Sequence, residues 1–377
     1  MPRQFIAIPG KRNAVASVKG ERMTSEVLSP LKEARQKYQA DHPHVRIRDA
    51  AAALGVSEAE LLATGIGDTV VRLAAPAEKP GWGKVIERLP ALGRVMALSR
   101  NEHCVHERKG LYREIGFFGF MGNVVGPDID LRFFLDHWHF GFAVREPEKD
   151  GDTKRSLQFF DRDGSAVHKV YLQPESDVAA FDAIAADFSD PAQDDALVVQ
   201  PAAGPLLPGK LDGEVDAGSF RAGWEALQDT HEFFGLLKKF GVERTQALRL
   251  AGEEFARTVA PASVEKLLRD AAARAVPIMV FVGNPGMIQI HTGPVERIVP
   301  FGKDGEWINV LDQDFNLHLR QTAITQAWVV KKPTRDGFVT SAEFYDATGE
   351  LIVQFFGKRK PGEPELESWR DLAAGLA

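Results

Sequence analysis

An α+β fold built by internal duplication is the reading supported by three observations on this 377-residue chain. Short tracts recur at a nearly constant displacement. In each copy, helical stretches precede many short β-rich runs. Turn residues separate each run from the next. ALGVSEAELL (Ala53 to Leu62) resembles KFGVERTQAL (Lys239 to Leu248), 186 positions on. MALSRNEHCVHERKG (Met96 to Gly110) resembles MVFVGNPGMIQIHTG (Met279 to Gly293) at 183, with Asn101 matching Asn284. DIDLRFFL (Asp128 to Leu135) resembles DFNLHLRQ (Asp314 to Gln321) at 186, and FFDRDG (Phe159 to Gly164) resembles FYDATG (Phe344 to Gly349) at 185. Each pair is weak alone, but four collinear pairs make the repeat. Strands that follow one another in sequence predict two large, mostly antiparallel sheets, one for each half.

In chain order, residues 1–28 read as a loose polar arm and 29–190 as the N-terminal repeat. Residues 191–219, rich in Pro, Gly and Asp, read as a linker, and 220–377 as the C-terminal repeat. The strand runs are VMALS, PIMVFVG, MIQIHTG, WINVLD, NLHLR, AWVVKK and ELIVQFF. DRDG and DATG supply hairpin turns. Gly116, Gly119 and Gly122 sit among phenylalanines, which marks a strand-packing device and not a phosphate cradle. A last helix is expected over Glu365 to Leu376, just after Pro364, packed on the C-terminal half.

The C-terminal repeat opens with WEALQDTHEFFGLLKKFGVERTQALR (Trp224 to Arg249), which predicts two amphipathic helices joined at Gly241. Trp224, Leu227, His231 and Phe234 recur at helical spacing, so His231 is expected on the apolar stripe and away from solvent. Gly235 lies one turn on, where a missing side chain would let a flat object approach the backbone. Taken alone, the stripe fits a core histidine bonded to a neighbouring carbonyl.

Composition excludes several classes. A hydrophobic content of 44% and a charged content of 26% are those of an ordinary globular protein. The net charge of -7 and the lack of a basic aromatic platform argue against a nucleic-acid binder. Cys104 is the only cysteine, so no intrachain disulfide can form and a reducing compartment is expected. No apolar run is long enough to span a membrane, and the expected location is cytoplasmic. Walker A, G-x-G-x-x-G after a strand, H-E-x-x-H and G-x-S-x-G are all absent. His103/His106 and His137/His139 cluster without the partners of a zinc site.

The tracts DTHEFFGLLKKFGVERTQALRL, IQIHTGPVERI, WINVLDQDFNLHLR, VVKKPTRDGFVTS and QFFGKRKPG, with RNEHCVHE and DIDLRFFL upstream, resemble the HemS/HmuS/ChuS/PhuS family. These are haem-trafficking and hemin-degrading proteins of bacterial haem uptake. The match runs from about Leu31 to the C-terminus. It implies a duplicated α+β fold that binds one haem b (iron protoporphyrin IX) in a cleft between the halves. It also implies that His231 is the proximal iron ligand and Arg132 the distal arginine. Strand alternation would put Arg132, Phe134 and Trp138 on one face, with His137 and His139 on the other. Without the resemblance, Arg132 reads as a sheet-surface arginine paired with Asp130 or Asp136.

The family's polar pocket positions fall on Arg244, Lys332, Gln354 and Arg359, cations and an amide suited to two propionates. By themselves KKPTR and GKRKPG are equally solvated basic loops. Phe356 stands where some relatives have tyrosine, which removes a hydrogen bond at that edge. His318, at the repeat position of Arg132, is a secondary haem contact by resemblance, or else a strand histidine facing solvent or the seam between halves. The resemblance implies a carrier that takes haem from an inner-membrane ABC transporter and passes it to a haem oxygenase. Its alternative is a haem-degrading, oxygenase-like enzyme with an external reductant, in which Arg132 would orient bound oxygen.

Overall fold

The computed structural model describes residues 29–148, 151–201, 210–359 and 362–377. The expected N-terminal arm and part of the expected linker lie outside these residues. Ten helices are described: α1 (Pro30–Asp41), α2 (Ile47–Leu54), α3 (Glu58–Ala63), α4 (Gly83–Ile86), α5 (Val178–Asp187), α6 (Ala217–Glu225), α7 (Glu232–Phe240), α8 (Arg244–Ala251), α9 (Ser263–Ala273) and α10 (Glu367–Ala374). The N-terminal strands are β1 (Val70–Leu73), β2 (Val95–Arg100), β3 (Cys104–Gly110), β4 (Ile115–Phe118), β5 (Met121–Val124), β6 (Asp130–Phe134), β7 (Phe140–Pro147), β8 (Thr153–Phe160) and β9 (Ala166–Leu172). Nine more follow: β10 (Ala256–Val259), β11 (Ile278–Asn284), β12 (Met287–Gly293), β13 (Ile298–Phe301), β14 (Trp307–Leu311), β15 (Phe315–Arg320), β16 (Gln326–Thr334), β17 (Gly337–Tyr345) and β18 (Leu351–Gly357).

The strands form two nine-stranded sheets, and every ladder in them is antiparallel. Sheet A runs β1-β7-β8-β9-β2-β3-β15-β14-β13, and sheet B runs β10-β16-β17-β18-β11-β12-β6-β5-β4. The expected pair of large sheets is present, but neither belongs to one half. Strands β4–β6 of the N-terminal repeat complete the C-terminal sheet, and β13–β15 return the exchange. The seams are β12·β6, where Ile288 opposes Arg132, and β15·β3, where His318 opposes Val105.

Reciprocal side-chain bonds fasten the exchange. The Asn101 amide donates to the carbonyls of Gly283 (3.2 Å) and Ile352 (2.8 Å), while the Asn284 amide donates to those of Arg100 (3.1 Å) and Val167 (2.9 Å). These are repeat-related contacts, so the pseudo-twofold legible in the tracts is also a physical axis. Apolar residues of the inner faces, such as Val280, Phe344 and Phe355, join α9 and α10 in one core, with Trp369 of α10 fully buried. This is the expected C-terminal helix packed where the sequence put it. DRDG and DATG are the β8–β9 and β17–β18 turns, with Gly164 and Gly349 at φ of 78° and 87°, a left-handed conformation that favours glycine.

Candidate functional site

The helical stretch ahead of β10 differs from expectation in one decisive respect. Trp224 lies in the last turn of α6, which stops at Glu225; α7 starts only at Glu232, and the residues between them are non-helical. The 3.6-residue spacing therefore does not carry through to His231. Trp224 and Leu227 are buried, but the His231 side chain is 91% exposed and Phe234 is 75% exposed. Phe233, Leu236 and Leu237 form the buried stripe instead. The core-histidine reading is excluded, and so is the expected stripe. Gly241 ends α7 in the left-handed conformation at φ 67°, as expected. A Cβ built at Gly235 meets nothing within 4 Å, so the turn after His231 is open to approach.

His231 is the N-cap residue of α7, and its ring is anchored from behind. Asp229 Oδ1 accepts from both the His231 backbone N–H (2.8 Å) and Nδ1 (2.6 Å). The His231 backbone N–H, the protonatable ring beside it and the more distant charge of Arg359 hold the Asp229 carboxyl below its ordinary range. The segment rests on the β16–β17 turn, where the Arg335 N–H donates to the Gln228 carbonyl at 3.1 Å.

Beneath α7 lies a buried ion cluster. Arg244 grips Glu343 with Nη2 on Oε1 (2.9 Å) and Nε on Oε2 (3.0 Å), while Nε also reaches the Tyr345 hydroxyl (2.9 Å). Lys332 Nζ donates to Glu343 Oε1 (3.0 Å) and lies 4.6 Å from the centre of the Phe233 ring. Ser341 and Tyr345 hydroxyls donate to the same carboxylate. Burial alone would raise the Glu343 carboxyl, but the two cations and these hydrogen bonds outweigh it and hold it far below the usual range. Burial lowers Lys332, and the Glu343 charge offsets this only in part. Burial would lower Arg244 as well, yet Glu343 and Tyr345 raise it. Two cations against one carboxylate leave an excess positive charge. The Arg244 side chain is 29% exposed, whereas Lys332 is sealed under Phe233.

Ladder partners in an antiparallel sheet share a face. Trp328, Glu343, Gln354, Phe281, Ile290 and Asp130 therefore form one row across sheet B. Arg132 and Phe134 follow Asp130 at two-residue steps on that same face, as do Phe356 after Gln354 and Lys332 after Trp328. Three strand spacings of about 4.8 Å put Gln354 roughly 14 Å from the Asp130–Arg132 strand. Arg132 pairs with Asp130, one of the two partners anticipated, and its side chain is 39% exposed. Burial raises the Asp130 carboxyl, and Arg132 offsets only part of that. Phe356 packs edge-on to Phe281 at 4.9 Å. Arg359 stands 3.9 Å from Asp336 and 20% exposed.

Trp138 is a second correction. The short 3-10 turn Leu135–His137 interrupts the alternation, and Trp138 is buried against Phe133 on the other face of sheet B. His137 and His139, expected to share a face, both turn to Asp161 (3.0 and 3.3 Å). Among the described residues no group of three or more His, Cys, Asp or Glu is placed to hold a metal ion.

His318 lies apart from all of these on sheet A, its Nδ1 2.8 Å from Asn309 Oδ1. Burial lowers its pKa. A cleft of about 700 Å³ opens where hairpin turns of both halves meet. Phe281, Gly283, Ile288 and Gln354 join it to the open face of sheet B, while Arg100 joins it to sheet A and Arg48 to α2. His231 does not line it; the imidazole stands exposed to solvent at the N-terminal end of α7.

The structure thus brings His231, Arg244, Lys332, Gln354, Phe356 and Arg359 together at one side of the sheet B face. It places Arg132 and Phe134 across that face and leaves His318 out. Sequence reasoning missed Asp229, Phe233, Ser341, Glu343 and Tyr345. The D-x-H spacing and the S-x-E-x-Y alternation were the available signals. No helix among the described residues is long and apolar enough to cross a membrane.

Residues 55–188 and 241–376 each match the family model described as the haemin-degrading HemS.ChuX domain. The chain is 38% identical over 339 residues to the hemin transport protein HmuS of Yersinia pestis, covering 90% of this chain and 94% of that one. The solved structure of holo-PhuS, a heme-binding protein from Pseudomonas aeruginosa, superposes with a TM-score of 0.87 at 50% identity, covering 92% of this chain and 98% of that one. ChuS, a heme degrading enzyme of Escherichia coli O157:H7, gives 0.83 at 32% identity, covering 92% and 99%. A duplicated domain, the interlocked sheets and relatives matched over nearly their whole length lead to one conclusion: this chain belongs to the HemS/HmuS/ChuS/PhuS family.

Proposed function

We propose that the chain is a haem carrier of a bacterial uptake system, binding haem b between α7 and the open face of sheet B. The observation that carries this is His231: an exposed imidazole whose Nδ1 is already engaged by a carboxylate, leaving Nε2 free to ligate a metal. Arg244, Lys332 and Arg359 supply the positive charge that two propionates require, Arg244 and Arg359 from partly exposed positions and Lys332 through the net charge of its cluster. Gln354 adds a polar group, and Phe134, Phe234, Phe281 and Phe356 offer apolar surface for a flat macrocycle.

The distal residue would be Arg132, which arrives on the same face through the exchanged strand β6. Its pairing with Asp130 is half-exposed and therefore displaceable at a cost of about 1 kcal/mol or less. When bound, haem would supply an iron for the His231 imidazole to hold. The chain supplies the ligand, neutralises the propionates and shields one face of the ring. Relatives described as transport and heme-binding proteins support the carrier, and the expected location is the cytoplasm, between an inner-membrane ABC transporter and a haem oxygenase.

The second reading, haem degradation with an external reductant, is favoured by the relative described as a heme oxygenase and by an arginine on the distal side. His318, on the other sheet, is in our proposal a candidate for a secondary, weaker haem site and not a contact of the haem held by His231.

The deciding experiment is a titration with ferric protoporphyrin IX. The parent protein should give a sharp Soret band, and His231→Ala should move that band and weaken binding. Equal spectra and affinities would refute the ligand assignment. Ascorbate with catalase then separates the two readings. A biliverdin-type product that survives catalase supports the enzyme, and a stable spectrum with transfer to an added oxygenase supports the carrier.

A further inference from the structure

The two-residue offset between Asp229 and His231 sets the state of the imidazole. A carboxylate only accepts, so the 2.6 Å contact from Nδ1 to Asp229 Oδ1 requires a proton on Nδ1, and in the neutral ring this leaves the lone pair on Nε2. Free neutral histidine has no such constraint. The carboxylate is itself held in place. Glu232 Oε2 accepts the backbone N–H groups of Gln228 (2.8 Å) and Asp229 (3.4 Å), closing the turn that presents the pair. In the N-terminal repeat the counterparts of Asp229 and His231 are Pro43 and Val45, so the pair exists in one half only.

We propose that Asp229 is a positioning residue for His231. It fixes the ring's tautomer and direction and strengthens Nε2 as an electron donor to the iron of a ferric tetrapyrrole. Groups that accept from the remote N–H of a ligating imidazole generally contribute 10- to 100-fold to metal affinity. A firmer donor slows loss of the cargo and favours the ferric state, which suits a carrier. This inference rests on the haem-binding reading above.

Asp229→Asn separates the roles, because the amide keeps the side-chain size and an oxygen acceptor for the turn but loses the charge. In the ligand-free parent, long-range ¹H–¹⁵N spectra should show the His231 Nδ1–H tautomer. Asp229→Asn should shift the population toward Nε2–H while the urea midpoint stays unchanged. Loaded with ferric protoporphyrin IX, the variant should release it to an apo-globin acceptor about 10-fold or more faster. After reduction, its iron–imidazole stretching band should move to lower frequency. If the tautomer, release rate and band all equal those of the parent, Asp229 does no more than hold the turn and the proposal fails. If His231→Ala also leaves the haem spectrum unchanged, the haem-ligand reading fails with it. A changed His231→Ala with an unchanged Asp229→Asn sinks only the present inference.

Discussion

Glu58 and Arg244 occupy equivalent positions in the two repeats, 186 residues apart, and carry opposite charges onto the faces of opposite sheets. Arg244 starts α8 and binds Glu343 of sheet B, whereas Glu58 starts α3 and binds Lys169 and Arg100 of sheet A. The repeat partners of Lys169 and Arg100 are Gln354 and Gly283. Where the C-terminal half has an amide and a bare backbone, the N-terminal half has two long cations folded onto an acid.

The first prediction follows. The N-terminal face lacks an imidazole at Val45 and is filled by that triad, so one haem should bind tightly per chain. A Soret titration should break at one equivalent. A second equivalent bound as tightly as the first would contradict this.

Removing the carboxylate at the centre of the C-terminal cluster should cost stability as well as binding. Glu343→Gln leaves Arg244 and Lys332 buried against each other without their counter-charge. About 3–5 kcal/mol is the usual loss for breaking a buried pair. Urea denaturation of the ligand-free protein measures it. A loss under about 1 kcal/mol would mean that the cluster is already solvated.

Arg132 should behave in the opposite way. Its side chain is half-exposed and its partner Asp130 lies on the same strand, so Arg132→Met should change stability by about 0.5 kcal/mol or less. Its signature should be in the haem-loaded protein: a shifted Soret band and a smaller affinity loss than His231→Ala. A destabilisation of several kcal/mol would make it structural.

Acid sensitivity should come from the core. Burial depresses His168 and His291 from 6.5 to about 3. His168 sits between the Tyr112 hydroxyl (2.6 Å) and the Ser99 hydroxyl (3.0 Å). Both stay neutral in the folded chain while the unfolded chain takes up protons below 6.5. Stability is therefore present above pH 6.5 and is lost as pH falls toward 3, each histidine adding about 1.4 kcal/mol per pH unit to the slope. Urea midpoints measured across that window should fall with acid, and His168→Gln should flatten the fall. An unchanged slope would place the proton uptake elsewhere.

Much of this architecture was legible before any coordinates. The tracts around Asn101 and Asn284 report a repeat because those amides tie the two halves together reciprocally, and the turns at Gly164 and Gly349 report hairpins because their backbone angles need glycine. What could not be read was long-range. Nothing local tells β6 that its partner is β12, 150-odd residues on, since a strand carries the same alternation whichever sheet it joins. The His231 helix was misjudged because a periodic apolar pattern cannot reveal that the helix stops at Glu225 and restarts at Glu232. Trp138 was misplaced for the same kind of reason: a three-residue turn reset the alternation. Glu343 escaped notice because a buried acid is recognisable only once its cations surround it.

Because each sheet is finished by strands from the other repeat, neither half can form a complete nine-stranded sheet alone. Separating them would strip three strands from each sheet and expose two long edges at once. The chain should therefore melt in a single cooperative transition despite its two repeats. A protease cut in the connecting segment should leave both fragments associated and still able to take up haem. Duplication here has produced one interlocked body, in which each sheet is built from strands of both copies.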